Sequence, residues 1–282
     1  MAEVSKAVLV TGCSSGIGRS TAELLAQRGW TVYATARRPE SIEDLGRSGC
    51  RLLALDVTDE ESMQAAVREV EQQEGAVGVL VNNAGYSQSG AIETIPLDQI
   101  RGQFETNVFG LIRMCQLVLP GMRRQRWGRI VNMGSMGGKL TFPGGGIYHA
   151  TKHAVEAISD ALRFEVAGFG VDVVLIEPGL ITTGFADAAV GSMTSVESDG
   201  PYASFNAAVA NSTAGVYQGP LRRFGGGPEV VAKVVEKAIS RRRPRARYPV
   251  TPSARLMMTQ RRLMPDRAWD ALMRTTYPRP KP

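Results

Sequence analysis

The stretch VLVTGCSSGIG, residues 8–18, sets the architecture of this chain. A short β-branched run ends in a glycine-rich turn, and a helical pattern follows directly. Glycine lets the backbone turn tightly and approach a pyrophosphate, while the N–H groups that start the next helix attract that anion. The turn therefore predicts a phosphate-binding unit, although its G-x-x-x-G-x-G spacing differs from G-x-G-x-x-G and also allows a purely structural connector. The candidate phosphate-binding residues are Gly12, Ser14, Ser15, Gly16, Ile17 and Gly18.

Downstream of this turn, short apolar runs alternate with longer helical patterns through the first 180 residues. We predict strands at 7–10, 31–35, 51–54, 77–81, 128–133 and 172–176. Helices are predicted at 20–28, 60–73, 98–126 and 148–169. This alternation is typical of helices covering both faces of a parallel sheet, so the predicted fold class is α/β: a single-domain, Rossmann-like, doubly wound parallel sheet.

The remaining residues differ in composition. Residues 182–224 are rich in Ala, Ser, Gly and Asn and predict a substrate loop or lid. Residues 228–240 form an amphipathic helical pattern that ends a dinucleotide-binding catalytic domain spanning 1–240. Residues 241–282 form a basic amphipathic extension, which we expect to pack on this domain or on a partner subunit.

The net charge of +6 is concentrated in that extension. Residues 241–282 hold 12 Arg or Lys and 2 Asp, a surplus of +10 that leaves −4 for the first 240 residues. The run at 241–247 can contact phosphates or an anionic lipid surface, but a solvated basic segment is the more common interpretation. We therefore expect no nucleic-acid partner and keep peripheral membrane contact as an alternative.

The cysteines and the N-terminus limit the class of protein further. Cys13, Cys50 and Cys115 lack CxxC spacing and neighbouring histidine pairs, so we expect neither a disulfide framework nor a metal site. Cys13 is interpreted as a small loop residue. The first residues carry no signal-peptide pattern, and no apolar run is long enough to span a membrane. We expect a cytoplasmic protein.

The end of the second predicted strand indicates which dinucleotide is bound. Sites that prefer NAD usually place an acidic residue here for the adenosine ribose. This chain has Arg37 and Arg38 instead, and a guanidinium can bind the extra phosphate of NADP that a carboxylate would repel. Arg37, with Arg38 beside it, therefore indicates NADP(H); an exposed arginine pair without a ligand is the alternative.

Ser135, Tyr148 and Lys152 form the candidate chemical group. Tyr148 and Lys152 are four residues apart, so on one helix they face the same side. A neighbouring cation stabilises a phenolate and lowers a tyrosine pKa from about 10 toward a useful range. Tyr148 can then exchange a proton with a carbonyl or alcohol oxygen, and Ser135, just after a strand, can hydrogen-bond the same oxygen. Taken singly, each residue more often has a structural role: a serine after a strand is usually a turn residue, and a Tyr-x-x-x-Lys pair is usually surface packing.

The combined pattern resembles the single-domain short-chain dehydrogenase/reductase superfamily over residues 5–185. The matching motifs are Thr11-Gly12-x-x-x-Gly16-x-Gly18, Asp56-Val57, Asn82-Asn83-Ala84-Gly85, Asn107, Ser135, Tyr148-x-x-x-Lys152 and Pro178-Gly179-x-Ile181-x-Thr183.

This resemblance implies a role for each matching residue. Asp56 and Val57 would lie at the adenine, and Asn83, Ala84 and Gly85 along the adenosine. Asn107 would hold a water that connects Lys152 with solvent, and Lys152 would also bind the nicotinamide ribose. The nicotinamide carboxamide would be positioned by Pro178, Gly179, Ile181 and Thr183. Arg37, with Ser15 assisting, would contact the NADP phosphate.

The stretches around residues 10–18 and 32–37 are most similar to hydroxysteroid and retinol dehydrogenases, which implies a lipophilic carbonyl or secondary alcohol as substrate. Candidate apolar wall residues, which fit core packing equally well, are Met136, Leu140, Phe142, Phe185, Met193, Tyr202 and Phe205. His149 and His153 are interpreted as structural or solvent-facing. A homodimer or homotetramer is expected from the resemblance. The alternatives are a catalytically silent NADP-binding sensor or scaffold, and a membrane or nucleic-acid binder that uses its tail.

Overall fold

The computed structural model describes residues 4–193, 200–215 and 223–280, apart from the side chains at 186 and 187. Its centre is one parallel sheet of seven strands, in the order β3-β2-β1-β4-β5-β6-β7. The strands are β1 Val8–Val10, β2 Val32–Ala36, β3 Arg51–Ala54, β4 Val79–Asn82, β5 Gly128–Met133, β6 Val171–Glu177 and β7 Arg247–Pro249. The predicted α/β parallel sheet is thus confirmed, with one strand more than expected.

Helices cover both faces of this sheet. They are α1 Gly16–Gln27, α2 Glu43–Arg47, α3 Glu60–Glu74, α4 Leu97–Phe104, α5 Gly110–Gln125, α6 Gly146–Val166, α7 Phe185–Gly191, α8 Ala203–Gly215, α9 Pro228–Ser240, α10 Pro252–Leu263 and α11 Asp266–Arg274. Among the described residues, none of these helices is both long and apolar enough to cross a membrane.

Two apolar clusters form the core, one on each face of the sheet. Val8 and Val10 point to the face covered by α1 and α9, whereas Leu9 between them points to the face of α3, α5 and α6. This alternation follows from the two-residue period of a strand. A fully buried Val, Leu or Ile side chain contributes about 1.5–3 kcal/mol, so burial on both faces is what selects the parallel sheet.

Several elements depart from the predicted boundaries. The helix predicted at 98–126 is interrupted by a π turn, Glu105–Phe109, between α4 and α5. The segment 182–224, predicted as irregular, contains α7 and α8; residues 194–199 and 216–222 of it lie outside the described part. The strand β7 was missed because it has only three residues, contains Pro249 and follows a basic run. Such an edge strand carries little apolar periodicity.

The C-terminal extension is fastened to the body of the protein through Arg247 of β7. Its guanidinium donates to the carboxylates of Glu156 at 3.1 Å and Asp160 at 2.5 Å, both on α6. Beyond β7, α10 and α11 lie at the carboxyl end of the sheet, where their inner residues Met257 and Leu272 line a cavity. The extension therefore lies at the same end of the sheet as the glycine turn.

Candidate active site

A cavity of about 1110 Å³ opens at the carboxyl end of the sheet. The strand order reverses here between β1 and β4, and ligands of open α/β sheets bind at such a switch point. Loops that follow β1, β2, β3, β4, β5 and β6 line one part of the cavity. Residues of α4, α6, α7, α8, α10 and α11, and of the π turn, line the rest.

The glycine turn after β1 is held in a conformation that only glycine adopts readily. Gly12 has φ +72° and Gly16 has φ +57°. A Cβ on Gly18 would lie 2.3 Å from the Gly12 carbonyl oxygen, so the third glycine allows close packing behind the turn. Gly18 itself does not line the cavity, unlike the turn residues Gly12, Ser14, Ser15, Gly16 and Ile17.

Asn83, which follows the neighbouring strand β4, holds the glycine turn in place. Its side-chain amide donates to the carbonyl oxygens of Thr11 at 2.9 Å and Gly12 at 3.0 Å. In return, the Thr11 hydroxyl accepts from the backbone N–H groups of Asn83 and Ala84, both at 3.0 Å. Asn83, Ala84 and Gly85 all line the cavity beside the turn.

The N-terminal end of α1 faces this part of the cavity. Ser15 precedes the helix in an extended conformation, and its side chain makes no capping hydrogen bond. The first N–H groups of the helix therefore keep their capacity to bind an anion. The glycine cradle and this helix end fit the pyrophosphate of a dinucleotide.

Arg37 and Arg38 differ in position although they are neighbours in sequence. Arg37 follows β2 and lines the cavity, and its exposed guanidinium makes no ion pair with any described residue. Arg38 is also exposed but does not line the cavity. Asp56 and Val57, which follow β3, also line this part of the cavity. The Asp56 carboxylate accepts hydrogen bonds from the Thr58 N–H at 2.9 Å and from the Thr58 hydroxyl at 2.8 Å.

Ser135, Tyr148 and Lys152 lie together at the centre of the cavity. Ser135 lies two residues after the end of β5. Its hydroxyl oxygen accepts a hydrogen bond from the Gly137 N–H at 3.0 Å, so the hydroxyl hydrogen can be donated to another acceptor. Tyr148 stands in the first turn of α6 and Lys152 in the second. The Lys152 ammonium lies 5.7 Å from the centre of the Tyr148 ring.

Burial changes the chemistry of Lys152. Its Nζ donates to the Met133 carbonyl oxygen at 2.8 Å, and the side chain is almost fully removed from solvent. Desolvation disfavours the charged form and lowers the Lys152 pKa from 10.5 to about 8. The amine therefore holds its proton weakly for a lysine.

Asn107 lies behind this group, within the π turn. Its amide nitrogen donates to the Tyr86 carbonyl at 2.9 Å and the Thr151 hydroxyl at 3.1 Å, and its oxygen accepts from the Tyr86 N–H at 3.1 Å. Both amide hydrogens are thus used, and Asn107 is buried without lining the cavity. A water held by Asn107 would have to bind through the remaining acceptor capacity of its oxygen, and the relay stays a prediction.

The loop after β6 borders the cavity next to the glycine turn, where a Cβ on Gly16 would lie 3.4 Å from the Thr183 methyl carbon. Pro178, Gly179, Ile181 and Thr183 all line it. The C-terminal extension supports this loop: the Leu180 N–H donates to the Ser253 hydroxyl at 3.1 Å. A Cβ on Gly179 would lie 2.3 Å from the Thr251 hydroxyl oxygen, so this close support requires glycine.

The apolar side of the cavity differs from the predicted wall. Met136, Phe142 and Phe185 line it. The other four predicted residues, Leu140, Met193, Tyr202 and Phe205, do not. The wall also contains Val209 of α8 and Tyr277, which the sequence did not single out, and Met257 of α10 with Leu272 and Met273 of α11. These last three belong to the C-terminal extension, which the sequence predicted to pack on this domain or on a partner subunit.

His149 was interpreted as structural or solvent-facing, and the structure finds it buried and lining the cavity. Desolvation lowers its pKa from 6.5 to about 4. His153, one turn later, is exposed. Cys13 is fully buried below the glycine turn, where desolvation raises its pKa to about 12, so it is an unreactive loop residue.

Comparison with protein families identifies one match: the model of the short chain dehydrogenase family matches residues 6–192. An uncharacterized oxidoreductase of Escherichia coli K12, YbbO, is 37% identical over 96% of this chain and 94% of its own length. An NADPH-dependent 3-dehydrocapnine reductase of Ornithobacterium rhinotracheale is 34% identical over 94% of both chains. A 3-ketodihydrosphingosine reductase of Bacteroides thetaiotaomicron is 43% identical over 64% of this chain and 65% of its own.

Solved structures agree with this match over nearly the whole chain. A short-chain dehydrogenase from Streptomyces avermitilis is 33% identical, with a TM-score of 0.78 over 98% of this chain and 100% of its own. A serine dehydrogenase complexed with NADP⁺ has 28% identity and a TM-score of 0.75 over 87% of this chain and 94% of its own. A Burkholderia phymatum relative in complex with NAD has 26% identity and a TM-score of 0.78 over 93% and 95%.

Proposed function

The chain belongs to the short-chain dehydrogenase family, and we propose that it transfers hydride between NADP(H) and a lipophilic carbonyl or secondary alcohol, with Tyr148 as the acid/base. The observation that carries this proposal is the continuity of one cavity. The glycine turn, Arg37, the apolar wall and Ser135, Tyr148 and Lys152 all line this one cavity.

The proposed reduction balances one hydride and one proton. When bound, the reduced nicotinamide supplies the hydride, with its two electrons, to the carbonyl carbon. Tyr148 gives its phenolic proton to the carbonyl oxygen, which becomes the alcohol. The Ser135 hydroxyl hydrogen-bonds the same oxygen, and the Lys152 ammonium stabilises the phenolate that Tyr148 leaves behind. Oxidation of an alcohol follows the same path in reverse.

Arg37 supports a preference for NADP(H). Its guanidinium lies at the cavity edge after β2 with no carboxylate partner among the described residues, so an additional phosphate can bind it without displacing an ion pair. The similar solved structures do not indicate which cofactor is preferred, because they include complexes with NADP⁺ and with NAD. The NADPH-dependent relative from Ornithobacterium rhinotracheale agrees with the proposed preference.

The wall supports a lipophilic substrate. Met136, Phe142, Phe185, Met257 and Leu272 present apolar surface to the cavity, and a site of this kind gains binding energy from burying hydrocarbon. A medium- or long-chain ketone matches this wall.

We also propose that the chain forms a homodimer or homotetramer through α5 and α6. Phe164 of α6 is 86% exposed and Phe109, immediately before α5, is 52% exposed. Exposed aromatic residues on neighbouring helices are typical of interfaces. Sedimentation analysis of the wild type and of Phe164→Glu tests this assignment.

The decisive test of the proposed reaction is Tyr148→Phe, measured with NADPH against a panel of ketones, aldehydes and steroid-like alcohols. We expect kcat to fall by about 100-fold or more, since the ring remains and only the proton donor is lost. Tyr86→Phe, at a second tyrosine that lines the cavity, is the matched control.

Retained turnover in Tyr148→Phe with the same substrate would contradict the proposed acid/base. Tight NADPH binding by the wild type without turnover across the whole panel would instead favour the catalytically silent sensor. Binding is measured separately through NADPH fluorescence.

A further inference from the structure

His149 has an unused hydrogen-bond acceptor beside the reacting group. The residue is 7% exposed, and what remains exposed faces the cavity that it lines. Its Nδ1 lies 3.1 Å from the Gly137 carbonyl oxygen, whereas Nε2 has no hydrogen-bond partner among the described residues. When a ligand fills the cavity and excludes water, a polar atom left without a partner costs free energy, so a ligand that supplies a partner gains affinity.

The protonation state of the ring is determined by its surroundings. Burial keeps the imidazole neutral near pH 7, and a neutral ring carries one hydrogen. A carbonyl oxygen can only accept, so Nδ1 must carry that hydrogen toward Gly137. Nε2 is therefore an acceptor, and only a donor group can satisfy it.

Neighbouring residues fix the ring and leave this edge accessible. Phe142 and Tyr148 contact the imidazole with ring centroids 5.8 and 5.6 Å away, both edge to face. A Cβ on Gly145 would lie 2.8 Å from Nε2, so any other residue at 145 would crowd the acceptor. Gly145 also lines the cavity and has φ −105°, which alanine can adopt.

The acceptor lies close to the oxygen-binding residues. The position that a Cβ on Gly137 would occupy is 2.5 Å from His149 Nδ1 and 3.3 Å from Ser135 Oγ, so the ring and the Ser135 hydroxyl flank the same point. A carbonyl oxygen held between Ser135 and Tyr148 therefore has the His149 ring as an immediate neighbour. A substituent near that carbonyl therefore lies beside the imidazole ring, whereas the far end of a long chain does not.

We propose that His149 Nε2 forms a subsite for a hydrogen-bond donor on the substrate, and that the preferred substrates are lipophilic ketones with a hydroxyl or amino group one or two carbons from the reacting carbonyl. This inference rests on the proposed carbonyl reduction. It adds a selectivity between substrates that an apolar wall alone does not give, because a site with a buried acceptor discriminates against the analogue that lacks the donor.

The test compares three ketones of equal chain length: 2-dodecanone, 1-hydroxy-2-dodecanone and 1-methoxy-2-dodecanone. The methoxy compound keeps the oxygen and the approximate shape but has no donor hydrogen. We expect the wild type to prefer the hydroxy ketone to the methoxy ketone by about tenfold in kcat/KM, the effect of one hydrogen bond to a buried acceptor.

Three variants test whether His149 accepts a hydrogen bond from the substrate or only supports the structure. His149→Asn keeps a donor toward Gly137 but has no acceptor at the Nε2 position, and it should lose the hydroxy/methoxy preference while still reducing 2-dodecanone. His149→Gln places an amide oxygen near the Nε2 position and should restore part of the preference. Gly145→Ala keeps the histidine, but its methyl group would lie 2.8 Å from Nε2 and must crowd or displace the acceptor, so it should reduce the preference as well.

The two proposals fail in different ways. Equal kcat/KM for hydroxy and methoxy ketones in the wild type, or an unchanged preference in folded His149→Asn, overturns the subsite while the carbonyl reduction stands. Failure of the wild type to reduce any of the three ketones, with NADPH bound, overturns the reduction and the subsite together. Melting temperatures and NADPH affinity of each variant establish that the fold is intact.

Discussion

Lys152 Nζ donates a 2.8 Å hydrogen bond to the carbonyl oxygen of Met133, the last residue of β5. This bond connects the helix that carries Tyr148 to the central strand that precedes Ser135. It holds the ammonium beside the tyrosine ring at the cost of removing a cation from water. The proposed chemistry therefore depends on a group that weakens the fold.

Lys152→Met should abolish turnover and stabilise the cofactor-free protein. An amine whose pKa falls from 10.5 in the unfolded chain to about 8 in the fold destabilises the fold when charged. We expect the free energy of unfolding to rise by about 2 kcal/mol at pH 7, after allowing for the lost hydrogen bond to Met133.

The pH dependence of this difference in unfolding free energy shows whether the buried charge of Lys152 causes it. The difference between wild type and variant should persist from pH 7 to 8 and shrink as the pH rises from 8 toward 10.5, because the folded amine then loses its charge first. Denaturant titrations at pH 7, 8 and 10 measure it. A difference that is constant with pH would show that repacking, and not the buried charge, stabilises the variant.

Arg37→Asp should reverse the cofactor preference. Loss of a charge-assisted bond and addition of a like charge should weaken NADPH binding by about 100-fold, while NADH binding improves. Fluorescence titrations with both cofactors measure the effect. Arg38→Asp is the matched control, since Arg38 is exposed but lies outside the cavity. Equal loss of NADPH affinity in both variants would show that Arg37 acts only through the positive charge of this surface and not through a direct contact with the phosphate.

Glu177→Gln should stabilise the fold in alkaline solution. Burial, reinforced by the neighbouring Glu156 carboxylate, raises the Glu177 pKa from 4.5 to about 7. A carboxyl whose pKa is raised in the fold favours folding only while protonated, so this contribution is lost as the pH rises from 4.5 through 7.

The variant should therefore gain less than about 1 kcal/mol over the wild type near pH 5 and about 3 kcal/mol at pH 8, the value that a shift from 4.5 to about 7 implies. Thermal unfolding at pH 5, 6.5 and 8 measures the trend. A larger gain at pH 5 than at pH 8 would have the wrong sign and reject the raised pKa.

Leu272→Ser should weaken binding of long-chain ketones. Leu272 of α11 lines the cavity, and removing its buried hydrocarbon should raise KM about tenfold for a twelve-carbon ketone and little for a four-carbon ketone. Leu263→Ser, at a leucine of α10 that is 77% exposed, is the matched control and should leave both values unchanged. The same change in KM for both chain lengths in Leu272→Ser would remove α11 from the proposed wall.

Features of short range could be predicted from the sequence. Strand and helix periods, the glycines of the turn and the four-residue spacing of Tyr148 and Lys152 are local properties, and the parallel sheet they predict is the one observed. The order of these elements also brings Ser135, Tyr148 and Lys152 to one cavity, because parallel strands end at the same edge of the sheet.

Long-range packing decided what the sequence left open. Arg37 and Arg38 have identical chemistry, yet only the backbone direction after β2 places one of them at the cavity. His149 carries no motif, and its burial against Phe142 makes it an acceptor. Tyr277 and the inner face of α11 reach the cavity only because β7 pairs with β6 and Arg247 binds α6. The Arg247–Asp160 contact joins residues 87 positions apart, and no local period encodes it.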